Sequence, residues 1–219
     1  MNKLILSRNY EEEVAEKLIQ FLKDNSHRRG IIVLGGGNTP RKINEYLVSI
    51  TLNQGLQTIW RNHYYVLSDE RGVALSDERS NFRMLNESLF KPLNIVGSVL
   101  SFQTSLPPLK ASIEFEKKLH SLLQETGVLL SLLGVGVDGH TASLFPGDKI
   151  LDSLNFVELA NMTGPEGLQR LTLTPKVLKK SKNIWFLANS SQKLLAVLNS
   201  DVISKIVSDH PDTVILTSS

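Results

Sequence analysis

The residues best suited to acid–base chemistry are Asp138 and His140, two positions apart in a glycine-rich stretch. The unperturbed imidazole pKa lies near neutrality, so a histidine can accept a proton and return it. The carboxylate can orient the ring or stabilise its charge. The apolar run 127–133 precedes the pair and predicts a buried strand. A strand that leads into such a turn is how α/β enzymes place a base at a sheet edge. Alternatively, His140 caps a helix or lies in the core.

A second glycine-rich segment, Gly35-Gly-Gly-Asn-Thr-Pro40, is typical of an anion site. It separates a predicted strand at 30–34 from a predicted helix at 40–50, with Thr39 as N-cap and Pro40 in the first helical position. Successive backbone N–H groups and the helix N-terminus favour a phosphate ester. The candidate ligands are Gly36, Gly37, Asn38 and Thr39. The spacing is neither a Walker A loop nor a dinucleotide fingerprint, and a plain tight turn is the alternative.

A third polar segment, Ser68-Asp-Glu-Arg71, follows a predicted strand at 64–67. The Arg71 guanidinium can bind a phosphate or carboxylate in a bidentate manner. Asp69 or Glu70 can bind sugar hydroxyls or hold Arg71. The alternative is a surface salt-bridge cluster, which is also our interpretation of the related tripeptide at 77–79.

Helical and strand patterns alternate along nearly the whole chain, which predicts a parallel-rich sheet with helices on both faces. Four of the predicted strands end in a glycine-rich or charged segment. The fourth segment is Asn189-Ser-Ser-Gln-Lys193, which follows a predicted strand at 184–187. The carboxyl ends of parallel strands share one edge, so we expect these segments to meet there. The remaining predicted helices span 11–24, 81–90 (capped by Ser80), 108–125, 192–198 and 202–207. The remaining predicted strands span 98–102, 156–159, 171–173, 184–187 and 214–216. Surface loops are predicted at 104–108 and 147–154.

Composition excludes several classes of protein. The 219 residues include no cysteine, which excludes disulfides and thiolate chemistry. The net charge of +2 is scattered, so we expect no nucleic-acid partner. No apolar run is long enough for a bilayer or a secretory signal, so we expect no membrane partner and a cytoplasmic protein. The five histidines are far apart, so we expect no metal and no cofactor. We expect a single domain over 1–219, as a monomer or weak homodimer.

The stretch Asp138-Gly-His-Thr-Ala-Ser-Leu-Phe-Pro-Gly147 resembles the signature of 6-phosphogluconolactonases. The related glucosamine-6-phosphate deaminases share Asp-Gly-His but continue with Asn-Glu-Pro. The 69–73 and 80–83 segments are also similar to the family's motifs. The resemblance implies a three-layer Rossmann-like α/β sandwich, as in glucosamine-6-phosphate deaminase and ribose-5-phosphate isomerase. It departs from the family pattern at Gly35 and Asn38, which replace two serines, and at Ser190, which replaces a glycine.

The resemblance also implies an activity, the hydrolysis of 6-phosphoglucono-δ-lactone to 6-phosphogluconate in the oxidative pentose phosphate pathway. His140 would be the general base and Asp138 its orienting partner. Arg71 and Lys193 would face the negative end of a small phosphorylated sugar lactone. Arg170 would line the pocket or support its strand, and Lys193 is otherwise an exposed lysine at a helix start.

Two other functions stay open. One is a deaminase or aldose–ketose isomerase acting on the same sugar phosphates. The other is a non-catalytic sugar-phosphate sensor, against which the lack of a DNA-binding helix pair counts.

Overall fold

The chain alternates strands and helices, as its hydrophobic pattern predicts, in a computed structural model that describes residues 3–161, 166–208, 210 and 212–218. The strands are β1 (Lys3–Ser7), β2 (Gly30–Leu34), β3 (His63–Leu67), β4 (Asp69–Arg71), β5 (Val99–Leu100), β6 (Val128–Gly134), β7 (Val157–Leu159), β8 (Arg170–Leu173), β9 (Asn183–Ala188) and β10 (Thr213–Ser218). The helices are α1 (Tyr10–Asp24), α2 (Asn38–Asn53), α3 (Thr58–Arg61), α4 (Asn81–Leu85), α5 (Pro108–Glu125), α6 (Pro175–Leu178), α7 (Ser191–Asn199) and α8 (Asp201–Val207).

Seven strands form one parallel sheet in the order β1-β10-β9-β6-β2-β3-β5. The central strand β2 is buried along its whole length, which explains its unbroken apolar sequence. Helices flank this sheet and bury one face each. In α1 that face carries Val14, Leu18 and Leu22, spaced at four residues. The predicted α/β sandwich with a parallel-rich sheet is confirmed.

A second, smaller sheet is antiparallel and has the order β4-β8-β7. Its strand β4 begins two residues after β3 ends, so the chain passes directly from one sheet to the other. The small sheet therefore begins at the carboxyl end of β3 and lies beside the polar edge of the large sheet.

Several predicted boundaries are wrong. The N-cap of α2 is Gly37 rather than Thr39, and Pro40 is the third helical residue. Proline is tolerated there because the first four N–H groups of a helix have no partner within it. The predicted helix at 81–90 divides into α4 and a π turn at Asn86–Phe90. The Ser88 hydroxyl donates to the Met84 carbonyl at 2.7 Å and competes there with the backbone hydrogen bonds of the helix.

The predicted loop at 147–154 is wrong in part. It contains a 3₁₀ turn, Lys149–Asp152, whose Ile150 and Leu151 are buried. Asp148 caps this turn by accepting a hydrogen bond from the Ile150 N–H at 3.1 Å. Within the described residues, no helix is long and apolar enough to cross a membrane.

Candidate active site

The four polar segments meet at one edge of the large sheet. The strands that precede them, β9, β6, β2 and β3, are consecutive neighbours in the sheet and all run in the same direction. The predicted convergence is therefore confirmed. It follows from the strand order, because parallel neighbours release their next residues side by side.

The acid–base pair is formed within a single tight turn after β6. His140 Nδ1 lies 2.5 Å from Asp138 Oδ1, and the His140 backbone N–H donates to the same oxygen at 3.2 Å. The turn is closed by Gly136, whose N–H donates to the His140 carbonyl at 2.9 Å. The imidazole is partly exposed and packs against Phe145, with ring centroids 4.8 Å apart.

The ionisation of Asp138 depends on this contact. Partial burial raises the pKa of its carboxyl, but the hydrogen bond and charge of His140 outweigh that effect, so the pKa lies below its usual value. The carboxyl is therefore ionised at neutral pH. A carboxylate can only accept hydrogen bonds, so in the neutral imidazole the proton lies on His140 Nδ1, and the Nε2 lone pair is available to a substrate or water.

The glycine-rich turn and α2 supply a cluster of backbone donors. Helix geometry leaves the first N–H groups of α2 without partners within the helix. A Cβ on Gly36 would lie 1.9 Å from the side-chain oxygen of Asn81, so only glycine fits there. The turn is thus pressed against the segment that follows β4, and the two form one wall.

Two arginines continue this wall, and one of them is bonded to Asn81. Arg71 and Arg170 are direct partners in the antiparallel pair of β4 and β8. Arg170 is 4% exposed, whereas the Arg71 side chain is 20% exposed. Arg71 Nη1 donates to the Arg79 carbonyl at 3.0 Å and to the side-chain oxygen of Asn81. Its Nε is buried without a hydrogen-bond partner among the described residues, so the guanidinium keeps donors for an anion.

Asp69 connects the arginine wall with the turn that bears His140. Its buried carboxylate accepts hydrogen bonds from Ser68 Oγ and Ser143 Oγ, both at 2.7 Å. Arg170 Nη1 lies 3.5 Å from the same Ser143 hydroxyl. Among the described residues, no hydrogen bond joins Asp69 directly to Arg71. Asn81 links the two, since it donates to the backbone carbonyl of Asp69 at 2.9 Å and accepts from Arg71 Nη1.

Glu70 fixes the segment after β4 by accepting hydrogen bonds from its backbone. Its buried carboxylate accepts hydrogen bonds from the N–H groups of Arg71, Asn81 and Phe82, each at 2.7 Å, and from Ser80 Oγ at 3.0 Å. Ser80 also caps α4, as predicted, by accepting from the Arg83 N–H. These bonds fix Asn81, and through it the guanidinium of Arg71.

Lys193 approaches from α7 and completes the cationic set. Ser190 is the N-cap of α7 and accepts from the Lys193 N–H at 3.2 Å, which gives a structural role to the serine that replaces the family glycine. Lys193 Nζ lies 3.3 Å from Thr39 Oγ1. Burial lowers the pKa of this ammonium.

These groups line a cavity of about 180 Å³. That volume is below the roughly 300–1,000 Å³ of pockets for drug-sized ligands, and it suits a molecule the size of a sugar phosphate. Of the predicted site residues, all but Asp138 line it, and Asp138 contacts His140. Those that line it are Gly36, Gly37, Asn38, Thr39, Asp69, Arg71, His140, Arg170 and Lys193.

The sequence did not single out Asn81 or Glu166 as site residues. Asn81 lies within the 80–83 segment, and the similarity of that segment to a family motif was the only sequence feature that pointed to it. Glu166 precedes Arg170 by four residues, a spacing with meaning only in a helix, and here it acts across a turn. Among the described residues, no three His, Asp or Glu side chains are grouped so that they could hold a metal ion.

Comparison with known proteins agrees with this architecture. Residues 6–215 match the family described as glucosamine-6-phosphate isomerases/6-phosphogluconolactonase. A 6-phosphogluconolactonase of Thermotoga maritima is 32% identical over 204 residues, which cover 91% of this chain and 84% of that protein.

The solved structures extend the comparison to the fold. The crystal structure of a 6-phosphogluconolactonase from Thermotoga maritima superposes with a TM-score of 0.88, at 29% identity, and covers 100% of both chains. A monomeric glucosamine-6-phosphate deaminase has a TM-score of 0.82 at 20% identity, covering 99% of this chain and 97% of its own, and shares the fold.

Proposed function

The chain belongs to the glucosamine-6-phosphate isomerase/6-phosphogluconolactonase family, and from that premise we propose that it hydrolyses 6-phosphoglucono-δ-lactone to 6-phosphogluconate. One observation carries the proposal: a single cavity is lined both by the imidazole of His140 and by the cationic groups of Arg71, Arg170 and Lys193. A base and an anion site in one small cavity suit a hydrolysable ester that carries a phosphate group.

His140 is the proposed general base. With Nδ1 occupied by Asp138, Nε2 removes a proton from water while the water oxygen bonds to the lactone carbonyl carbon. The tetrahedral intermediate then expels the ring oxygen, which takes the proton from the imidazolium. The products are a free hydroxyl and a carboxylic acid, which releases its proton to water and becomes the carboxylate. Asp138 remains ionised throughout and stabilises the imidazolium charge.

The phosphate group is proposed to bind at the glycine-rich turn. Backbone N–H groups of residues 36–39 would meet its oxygens, together with Lys193 and the two arginines. Asp69 is the proposed acceptor for a sugar hydroxyl. The oxyanion of the intermediate needs donors as well, and N–H groups of the same turn are the proposed source.

The lactone is already a reactive ester, so the proposed reaction needs neither a metal nor a cofactor. A cytoplasmic location and a monomeric or weakly dimeric state remain predictions. Light scattering on the purified protein would test the oligomeric state.

The function is tested by a lactonase assay on freshly generated 6-phosphogluconolactone, with spontaneous hydrolysis subtracted. Acid release above that background is expected only with the enzyme. The same preparation is incubated with glucosamine 6-phosphate and assayed for ammonia, which is expected to be absent. Ammonia release without lactone hydrolysis would identify a deaminase. Binding of 6-phosphogluconate without either activity would identify a sensor.

A further inference from the structure

The positive charges of Arg71 and Arg170 repel each other when no substrate is bound. Arg71 and Arg170 are opposite each other in the antiparallel register, and like charges in that position destabilise a sheet. Arg170 is also almost completely buried, which makes an uncompensated charge there costly. An anion beside the pair therefore stabilises the free protein.

Glu166 supplies that anion. Its Oε2 accepts a hydrogen bond from Arg170 Nη2, and its Oε1 lies 4.0 Å from Arg71 Nη2. Burial raises the pKa of Glu166, but the charges of Arg170 and Arg71 outweigh this and leave the pKa below its usual value. The group is thus ionised at neutral pH. Its side chain is 42% exposed, so water can replace the arginines as its partner.

The contact with Arg71 is geometrically incomplete. A distance of 4.0 Å exceeds that of a hydrogen bond, so Glu166 acts on Arg71 by charge alone. Arg71 Nη1 is already used by Asn81 and by the Arg79 carbonyl. Nη2 is therefore the edge of Arg71 that a phosphate oxygen would take, and it is the edge that faces Glu166.

We propose that Glu166 is an internal counter-anion, which the phosphate group of the substrate replaces at Arg71 and Arg170. The inference rests on the proposed function, since it assigns the phosphate to this arginine pair. The exchange places a phosphate dianion where one carboxylate was, and it releases Glu166 to water. When the product leaves, the carboxylate returns. Glu166 thus weakens phosphate binding and keeps the empty site stable.

The test compares the affinity of inorganic phosphate for the wild-type protein and for Glu166→Gln, by isothermal titration calorimetry at fixed ionic strength. Glutamine keeps the shape and one hydrogen-bond acceptor but removes the competing charge. The dissociation constant is expected to fall by up to about fivefold, which corresponds to the roughly 0.2–1 kcal/mol of a partly exposed ion pair. Glu114→Gln is the matched control. Glu114 pairs with Lys117 on α5 and does not line the cavity, so the same charge change there should leave the affinity unaltered.

Each outcome separates two claims. Unchanged or weaker phosphate binding by a folded Glu166→Gln protein would overturn the inference, because Glu166 would then be inert or would orient the arginines. An equal gain in Glu114→Gln would also overturn it, as a general field effect. Absence of phosphate binding in the wild type would reject the inference and the proposed anion site together, whereas the lactonase assay tests the activity independently. If Glu166→Gln unfolds, Glu166→Asp is used, and its shorter side chain should also tighten binding.

Discussion

Replacing Gly136 with alanine is expected to displace His140 and Asp138 without changing either residue. A Cβ at this position would lie 2.3 Å from Nδ1 and Cε1 of His140 and 2.4 Å from Asp138 Oδ1. Non-bonded heavy atoms prefer separations of about 3.5 Å or more, so the imidazole must move by roughly 1 Å. Gly136 is not among the glycines with positive φ, so its backbone accepts alanine. The three nearest atoms all belong to His140 and Asp138, so the change acts first on that pair.

A displacement of about 1 Å in a catalytic group can cost roughly 10²-fold in rate, which corresponds to about 2.7 kcal/mol in the activation free energy. Steady-state lactonase kinetics of Gly136→Ala should show this loss in kcat. The melting temperature reports whether the fold survives. Gly97→Ala is the control, since a Cβ there meets nothing within 4 Å, and it should retain wild-type kinetics. Wild-type kcat in Gly136→Ala would refute the assignment of the turn as the catalytic geometry.

The remaining predictions concern the anion site and the metal. Arg71→Ala should raise KM for the phosphorylated lactone about 10- to 100-fold, since hydrogen bonds to charged groups contribute about 1.5–3 kcal/mol, with a far smaller effect on unphosphorylated gluconolactone. Arg29→Ala is the control, because that exposed side chain pairs with Glu125 and does not line the cavity. Equal losses on both substrates in Arg71→Ala would make Arg71 structural. Exhaustive EDTA treatment should leave full activity; a loss that zinc or magnesium restores would make His140 a metal ligand.

Long periodic elements were predictable from sequence. Helix α5 has the predicted bounds, Pro108–Glu125. Its buried residues Phe115 and Leu119 are four positions apart, and this spacing is typical of an amphipathic helix. The order of strands and helices, and hence the shared polar edge, followed from the same periodicity. The resemblance to a family then gave the candidate residues their roles.

Short elements and long-range contacts were not predictable. The strand β4 consists of Asp69, Glu70 and Arg71, whose charges hide any apolar alternation, and it exists because β8 pairs with it. Glu70 serves as a buried anchor for backbone N–H groups that lie about ten residues onward, a relation without a local pattern. Similarly, the contact between Glu166 and Arg71 joins residues that are far apart in the sequence. It depends on the register in which β4 pairs with β8.

The central claim is that His140 activates water in the cavity. The most direct test measures kcat for 6-phosphogluconolactone and the dissociation constant of 6-phosphogluconate in His140→Ala, beside His120→Ala as a control. His120 stacks on Phe156 and lies outside the cavity. Loss of general acid–base catalysis should lower kcat about 10²- to 10⁴-fold in His140→Ala, with product affinity nearly unchanged and His120→Ala unaffected. A folded His140→Ala protein with near wild-type kcat would contradict the account.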